Sequence, residues 1–250
     1  VAGHSKWSNI KHRKGAQDKK RAKLFTKLGK ELTIAAKEGG GDIDFNPRLR
    51  LALEKAKAGN MPKDNIDRAI KKGTGELEGV DFVEMRYEGY GPAGTAFIVE
   101  VVTDNKNRSA SSVRSTFSKK GGNLGTDGAV AWMFNKNGLI EIAAEGVDEE
   151  ELMMTALEAG ADDVKAEDDM FEVLTDPANF QEVLSALTEA GYKYEEAEIT
   201  MIPENKVEIT DVDTAKKVLA LYETLEDIDD VNDVYSNFEI SDEIMEEAMA

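Results

Sequence analysis

Residues 138–202 read "GLIEIAAEGVDEEELMMTALEAGADDVKAEDDMFEVLTDPANFQEVLSALTEAGYKYEEAEITMI". The hydrophobic period switches repeatedly within this stretch. "GLIEIAA" is a short extended run, and "DEEELMMTALEAGA" then places apolar residues at three- and four-residue spacing. "DDVKAED" and "MFEVLT" return to strand patterns, "DPANFQEVLSALTEAG" is helical again, and "YKYEEAEITMI" is extended. Strand, helix, strand, strand, helix, strand is the order of a split βαβ, ferredoxin-like unit. It is expected to occupy residues 135–203.

Strand patterns also flank this unit. On the N-terminal side "FVEMRYEGY" alternates, with Val83, Met85 and Tyr87 on one face, and "GTAFIVEVVT" is a nearly continuous apolar run suited to the centre of a sheet. "NRSASSVRSTFSKKGG" reads as a helix with Ala110, Val113 and Phe117 inward, and "GAVAWMF" as a further strand. On the C-terminal side come "KVEIT", the helix "VDTAKKVLALYETLED" and the strand "VNDVYSNFEI". One helix and its strands cannot bury themselves alone, so they are expected to rejoin the sheet begun near residue 80. The ferredoxin-like unit is then an insertion in a domain formed by residues 77–134 plus 204–240. The acidic tail "SDEIMEEAMA" is expected to fray.

Residues 1–76 read differently. From Ala16 to Lys37 the apolar residues Leu24, Phe25, Leu28, Leu32 and Ala35 fall on one side of a helix. Lys19, Lys23, Lys27, Lys30 and Lys37 fall on the other, within a sector of about 80°. "GGG" at 39–41 stops that helix. "NPRLRLALEKAKAG" follows with Asn46 as N-cap, Pro47 at the first helical position and Gly59 past the end. "MPKDNIDRAIKKG" repeats the pattern, with Pro62 in its first turn and Gly73 as its stop. The fold class expected is therefore α+β: an N-terminal helical bundle followed by two α/β sandwich domains, one ferredoxin-like and inserted in the other.

The charge follows the same division. The chain of 250 residues carries a formal net charge of -19. Residues 1–76 hold 19 Lys+Arg against 9 Asp+Glu, a net of +10, while the remainder holds 12 against 41, a net of -29. The segment "KHRKGAQDKKRAKLFTK", residues 11–27, concentrates eight cations with one aspartate. An ordinary solvated helix face explains most charge runs. Here the lysines are sorted to one side with Glu31 and Glu38 only at its margin, so repulsion is not relieved by interleaved acids. "HSKWSNIKHRKGAQ" also mixes Trp7, His4, His12, Asn9 and Gln17 with the cations, a set suited to stacking and polar contacts beside phosphate neutralisation. The candidate phosphate contacts are Lys6, Lys11, Arg13, Lys14, Lys19, Lys20, Lys23 and Lys27. His4, Trp7, Asn9 and His12 are candidate base, sugar or polar contacts; Trp7 fits a core anchor equally well. Arg108 and Arg114 form a candidate second patch. The acidic body repels phosphate and so limits non-specific sticking.

Several other chemistries are excluded or outweighed. There is no cysteine, which excludes disulfides, thiolate metal sites and cysteine nucleophiles and fits a cytoplasmic home. No apolar run approaches the roughly 20 residues of a membrane span. The N-terminal stretch has basic residues without an apolar run behind them, so it reads as part of the fold rather than as a targeting segment. "GYGPAG", Gly89–Gly94, matches a dinucleotide-loop pattern, but a strand follows where a helix N-terminus is required, so it reads as a hairpin loop. "DIDFNP" begins like a calcium loop but has Pro47 where Gly is needed and Leu53 where a bidentate Glu is needed. The runs "EDD" (167–169) and "EDIDD" (226–230) read as solvated faces before they read as weak Mg²⁺ sites. Two histidines and no cysteine leave little from which to build a catalytic or metal centre. A metal-dependent enzyme acting through carboxylates such as Asp168 and Asp169 is the weakest reading. No enzyme activity, cofactor, small-molecule substrate or membrane partner is expected.

"AGHSKWSNIKHRKGAQDKKRAKLFTKLGKEL", "GGGD", "NPRLR", "KAKAGNMPKDNIDRAIKKG", "YEGYGPAG" and "TDNKNR" together closely resemble the YebC family, which includes the mitochondrial translational activator of cytochrome c oxidase subunit I. The resemblance spans essentially the whole chain and is most specific over residues 2–130. It implies an N-terminal helical domain with two α/β domains, one inserted in the other, and a non-enzymatic regulator of gene expression. Bacterial members are described as DNA-binding transcriptional regulators. Others look like translation factors that act on ribosomes, including those slowed at proline-rich stretches. The residues themselves support polyanion binding and leave DNA and ribosomal RNA both open. No helix-turn-helix recognition signature or zipper is present.

Overall fold

The structure, a computed structural model, describes residues 17–167 and 169–249, with the backbone alone for residues 17–20. Three helices come first: α1 (Gln17–Gly39), α2 (Pro47–Ala58) and α3 (Lys63–Gly73). The Asn46 side chain accepts from the Leu49 N–H and donates to the carbonyls of Ala35 and Gly40, so it caps α2 and closes the turn behind α1 in one step. Leu28, Leu32, Ala35 and Ala36 of α1 pack on Leu49, Ala52, Ala56, Ile66 and Ala69. Pro62 is the N-cap of α3 rather than a residue of its first turn. Gly73 is the last residue of the helix and not its stop; a Cβ there would lie 2.3 Å from the Thr33 carbonyl oxygen and 2.7 Å from the Ala36 Cβ. Glycine is needed at that position because α3 crosses α1 at contact distance.

Strands β1 (Val83–Tyr90) and β2 (Ala96–Thr103) form an antiparallel hairpin whose loop is the "GYGPAG" stretch, with positive φ at Ala93 and Gly94. Helix α4 (Lys106–Lys119) follows, then the short β3 (Asn123–Leu124). After the inserted unit come β8 (Val207–Ile209), α7 (Val212–Glu226), β9 (Val231–Ser236), β10 (Phe238–Ile240) and α8 (Asp242–Met249). Strand β9 joins the first sheet beside β2, giving the order β3-β1-β2-β9, and β8 pairs with β10 in parallel. The returning elements thus rejoin the sheet begun near residue 80. Phe97, Val113, Phe117, Val218, Leu221, Leu225 and Val234 lie in the core between sheet and helices.

Two local expectations are corrected. "GAVAWMF" is not a strand of its own: Ala131–Met133 forms a 3₁₀ turn, and only Phe134 enters a strand. The buried Glu88 carboxylate accepts the N–H groups of Gly128, Val130 and Ala131, so these donors are satisfied by a side chain instead of a ladder. The acidic tail does not fray. It forms α8, whose Met245 is buried in the core with Ile244, Ala248 and Met249 packed against it.

The inserted unit contains β4 (Phe134–Ala143), α5 (Glu149–Glu158), β5 (Asp163–Ala166), β6 (Met170–Thr175), α6 (Phe180–Glu189) and β7 (Tyr194–Pro203). Its sheet is antiparallel in the order β5-β6-β4-β7, the ferredoxin-like arrangement. Asp148 caps α5 by accepting from the Glu151 N–H, and Leu152, Ala156, Phe180, Val183 and Leu187 are buried. Trp132–Lys206 forms one compact unit, and the rest of the described chain, helices α1–α3 included, forms the other.

Candidate nucleic-acid interface

Each sequence-predicted contact residue has a definite place or none. His4, Lys6, Trp7, Asn9, Lys11, His12, Arg13 and Lys14 lie outside the described residues, and so do the side chains of Lys19 and Lys20. Lys23, Lys27, Arg108 and Arg114 are described.

Lys23, Lys27 and Lys30 of the α1 stripe, read from sequence as a phosphate-binding face, face the first sheet and the loop between α7 and β9. Lys23 Nζ lies 2.9 Å from Asp227 Oδ1, and Lys27 Nζ donates to the Asn232 carbonyl at 3.0 Å. Lys30 is the most enclosed of the set, with 10% of its side chain exposed. It donates to the carbonyls of Val102 at 3.0 Å and Asp229 at 2.8 Å and reaches Asp230 Oδ1 at 3.3 Å. Lys37 pairs with Asp81. The correction has a physical reason. An amphipathic helix displays two faces, and the apolar one is used by α2 and α3; the charged face is free to meet any complementary surface, including one from its own chain.

That surface is the "EDIDD" run. Read as a solvated face, it instead contributes the buried Asp230. Four donor atoms meet this carboxylate: Arg108 Nε at 3.0 Å and Nη2 at 2.8 Å, Ser109 Oγ at 2.8 Å, and Lys30 Nζ. Burial works to raise the Asp230 pKa, but the hydrogen bonds from Ser109 and Arg108 and the charge of Lys30 outweigh it and hold the group below the usual carboxylate range. Arg108 also reaches Asp104 at 2.7 Å, so its guanidinium is shared between two acids. A phosphate at Lys23, Lys27 or Arg108 would compete with these partners.

A second ion cluster lies beside the first. Arg48 of α2 donates to Glu31 at 2.9 Å and Glu38 at 2.7 Å, both on α1, and to Glu84 on β1. Burial alone would lower its pKa, yet the bonds to Glu84 and Glu31 raise it further than that, so the guanidinium is permanently charged. Glu31 and Glu38, the acids at the margin of the stripe, therefore have an internal cation.

Arg114 is different. It projects from the exposed side of α4, and no acid pairs with it among the described residues. Sequence reading missed Lys30, Ser109, Asp227 and Asp230 as an intramolecular set. The signal was present as complementarity between a lysine stripe and an aspartate run about 200 residues away, but no spacing rule joins such distant segments.

A helical bundle followed by an antiparallel sheet packed on helices, with a ferredoxin-like unit inserted in it, defines an α+β class of protein. Comparison with known proteins places the chain within it. The family model described as TACO1/YebC protein N-terminal domain matches residues 5–76, and that described as TACO1/YebC second and third domain matches residues 82–238. The chain belongs to the TACO1/YebC family. It is 73% identical over 247 residues to "Probable transcriptional regulatory protein FN1661" of Fusobacterium nucleatum subsp. nucleatum, covering 99% of each chain. It is 60% identical over 249 residues to "Probable transcriptional regulatory protein GSU1074" of Geobacter sulfurreducens, covering 100% of each. The crystal structure of the conserved hypothetical protein Aq1575 from Aquifex aeolicus is similar with a TM-score of 0.81 at 49% identity, over 91% of this chain and 94% of that one. Among the described residues no helix is long and apolar enough to cross a membrane.

Proposed function

We propose that this protein is a non-enzymatic, nucleic-acid-binding regulator of gene expression, acting as a DNA-binding transcriptional regulator. One observation carries the reading: a net of +10 over residues 1–76 on a chain whose remainder is -29. The curated relatives bear the name of transcriptional regulatory proteins, which agrees with it. The contacts assigned are His4, Lys6, Trp7, Asn9, Lys11, His12, Arg13, Lys14, Lys19 and Lys20, with Arg114 as a separate point. Lys23, Lys27 and Arg108 join them only where nucleic acid displaces Asp227, the Asn232 carbonyl and Asp230. Phosphate neutralisation supplies most of the affinity, so binding is strongly salt-dependent.

An RNA-directed reading, a ribosome-bound factor that assists translation of proline-rich stretches, has one observation in its favour. Lys23, Lys27 and Lys30 of α1 are turned onto acceptors of the same chain, which a recognition helix laid in the major groove would need free. Contacts to backbone and shape suit folded RNA as well as duplex DNA.

The test is binding of the full chain to promoter duplex, bulk duplex and ribosomal RNA across a salt series. A slope of log K against log salt near -5 is expected for about six engaged cations, with promoter duplex preferred. Lys11→Ser with Arg13→Ser and Lys14→Ser should make that slope shallower by about three. Equal affinity for every duplex would remove the transcriptional reading, and absence of the protein from ribosomal fractions at low salt would remove the RNA one.

A further inference from the structure

Between Asp104 and Asp127 the chain runs for 22 residues without an acid, although acids make up 50 of its 250 residues. At that frequency the stretch would hold about four. It holds five cations instead, Lys106, Arg108, Arg114, Lys119 and Lys120, together with seven Ser and Thr hydroxyls. Most of it is helix α4.

The helix sorts these residues. Ser109, Val113, Thr116 and Phe117 are buried against the sheet and α7. Asn107, Ser111, Arg114 and Ser118 are exposed at i, i+4, i+7 and i+11. That spacing puts them in one line within about 60° of arc and along about 16 Å of helix. Lys106 and Lys119 are exposed at the two ends of α4, each about 110° around the helix from that line. Arg108 is withdrawn by Asp230 and Asp104. Lys106, Arg114 and Lys119 have no acidic partner among the described residues.

We infer that the outward face of α4 is a second nucleic-acid contact that grips the sugar–phosphate backbone without reading sequence. The inference rests on the nucleic-acid reading above and adds a surface to it, on a different element from the N-terminal arm. One arginine in line with small polar side chains, with a lysine at each end of the helix, supplies the groups that bind phosphate and sugar. No side chain on the line is of a kind that reads base edges bidentately except Arg114 and Asn107, which stand at separate turns with only serines between them. An acidic peptide fits less well, because the exposed large apolar residues of the described chain lie elsewhere and none on this face would seat a peptide side chain. Two contacts on separate elements hold a polymer in a fixed orientation, which a single contact does not.

The experiment uses the full chain carrying Lys106→Ser, Arg114→Ser and Lys119→Ser, all at exposed positions. Thermal melting checks that it is folded. Its affinity for a 30-base-pair duplex and for a structured RNA is read across a salt series beside the unaltered chain and beside the Lys11, Arg13, Lys14 triple variant. The expected result is a slope shallower by about three, about one per cation, with the loss uniform across sequences. Ser111→Asp with Ser118→Asp, which leaves every cation in place, should also weaken binding. An unchanged slope in the α4 variant, with a reduced one in the arm variant, overturns this inference and leaves the nucleic-acid reading intact. No binding by the unaltered chain overturns both. Competition by polyglutamate as strong per charge as that of the duplex would assign the face to acidic polymers in general and would also overturn it.

Discussion

Helices α1 and α4 are both rich in cations, and they use them in opposite ways. Lys23, Lys27 and Lys30 of α1 are turned onto the sheet and the "EDIDD" loop, where Lys30 has three acceptors. The cations of α4, Arg108 apart, point outward with no acid to meet them. Both helices show an apolar stripe, backed in α1 by lysines and in α4 by Asn107, Ser111, Arg114 and Ser118. The lesson is that a sorted basic face announces a complementary surface without saying whose it is. For α1 the surface is in the same chain; for α4 nothing in the described chain supplies it.

The largest effect that separates the two should come from Asp230→Ala. It leaves Lys30 enclosed without its carboxylate and takes one acid from the half-exposed Arg108, and removing one partner of a buried pair costs about 3 kcal/mol. Urea unfolding should show that loss, whereas Arg114→Ala on α4 should stay within about 0.5 kcal/mol of the unaltered chain. Equal losses would erase the distinction.

Acid should weaken the Asp230 cluster, which joins Lys30 of α1 to Arg108 and Ser109 of α4. Asp230 and Glu88 both have folded pKa values held below their ordinary range. A group depressed in the folded state binds protons more readily when unfolded, so its contribution is full above the unfolded value of about 4 and is lost as pH falls through the folded value. Stability measured by thermal melting should therefore drop below about pH 4. Asp230→Asn should flatten that drop, since the variant has no proton to gain at this site. An unchanged acid limb would mean that Asp230 titrates alike in both states.

The smallest effect is expected at Lys23→Ala. Its partner Asp227 has 76% of its side chain exposed, and such pairs contribute between zero and about 1 kcal/mol. A change above that range would show that the rim of the docked face matters as much as Lys30 at its centre.

Much of the fold was legible because its signals are local. Asn46 and Pro47 mark the start of α2, and the alternating periods of residues 138–202 give the element order from which the ferredoxin-like sheet follows. The failures were also local in origin. Gly73 looks like a stop, yet the constraint on it is the Thr33 carbonyl of another helix. "GAVAWMF" has strand composition, yet Glu88 from 40 residues upstream takes its N–H groups. The tail is strongly acidic, yet Met245 and its neighbours find a core to cover. The candidate site was legible only as a charge distribution.

The sequence by itself determined three parts, their element order and the segregation of positive from negative charge, because caps, periods and composition act within a few residues. Only the tertiary structure decided which cations are consumed internally. Whether Lys30 meets water or Asp230 depends on how residues 200 apart are brought together, and the enclosure that strengthens their attraction exists only once they are.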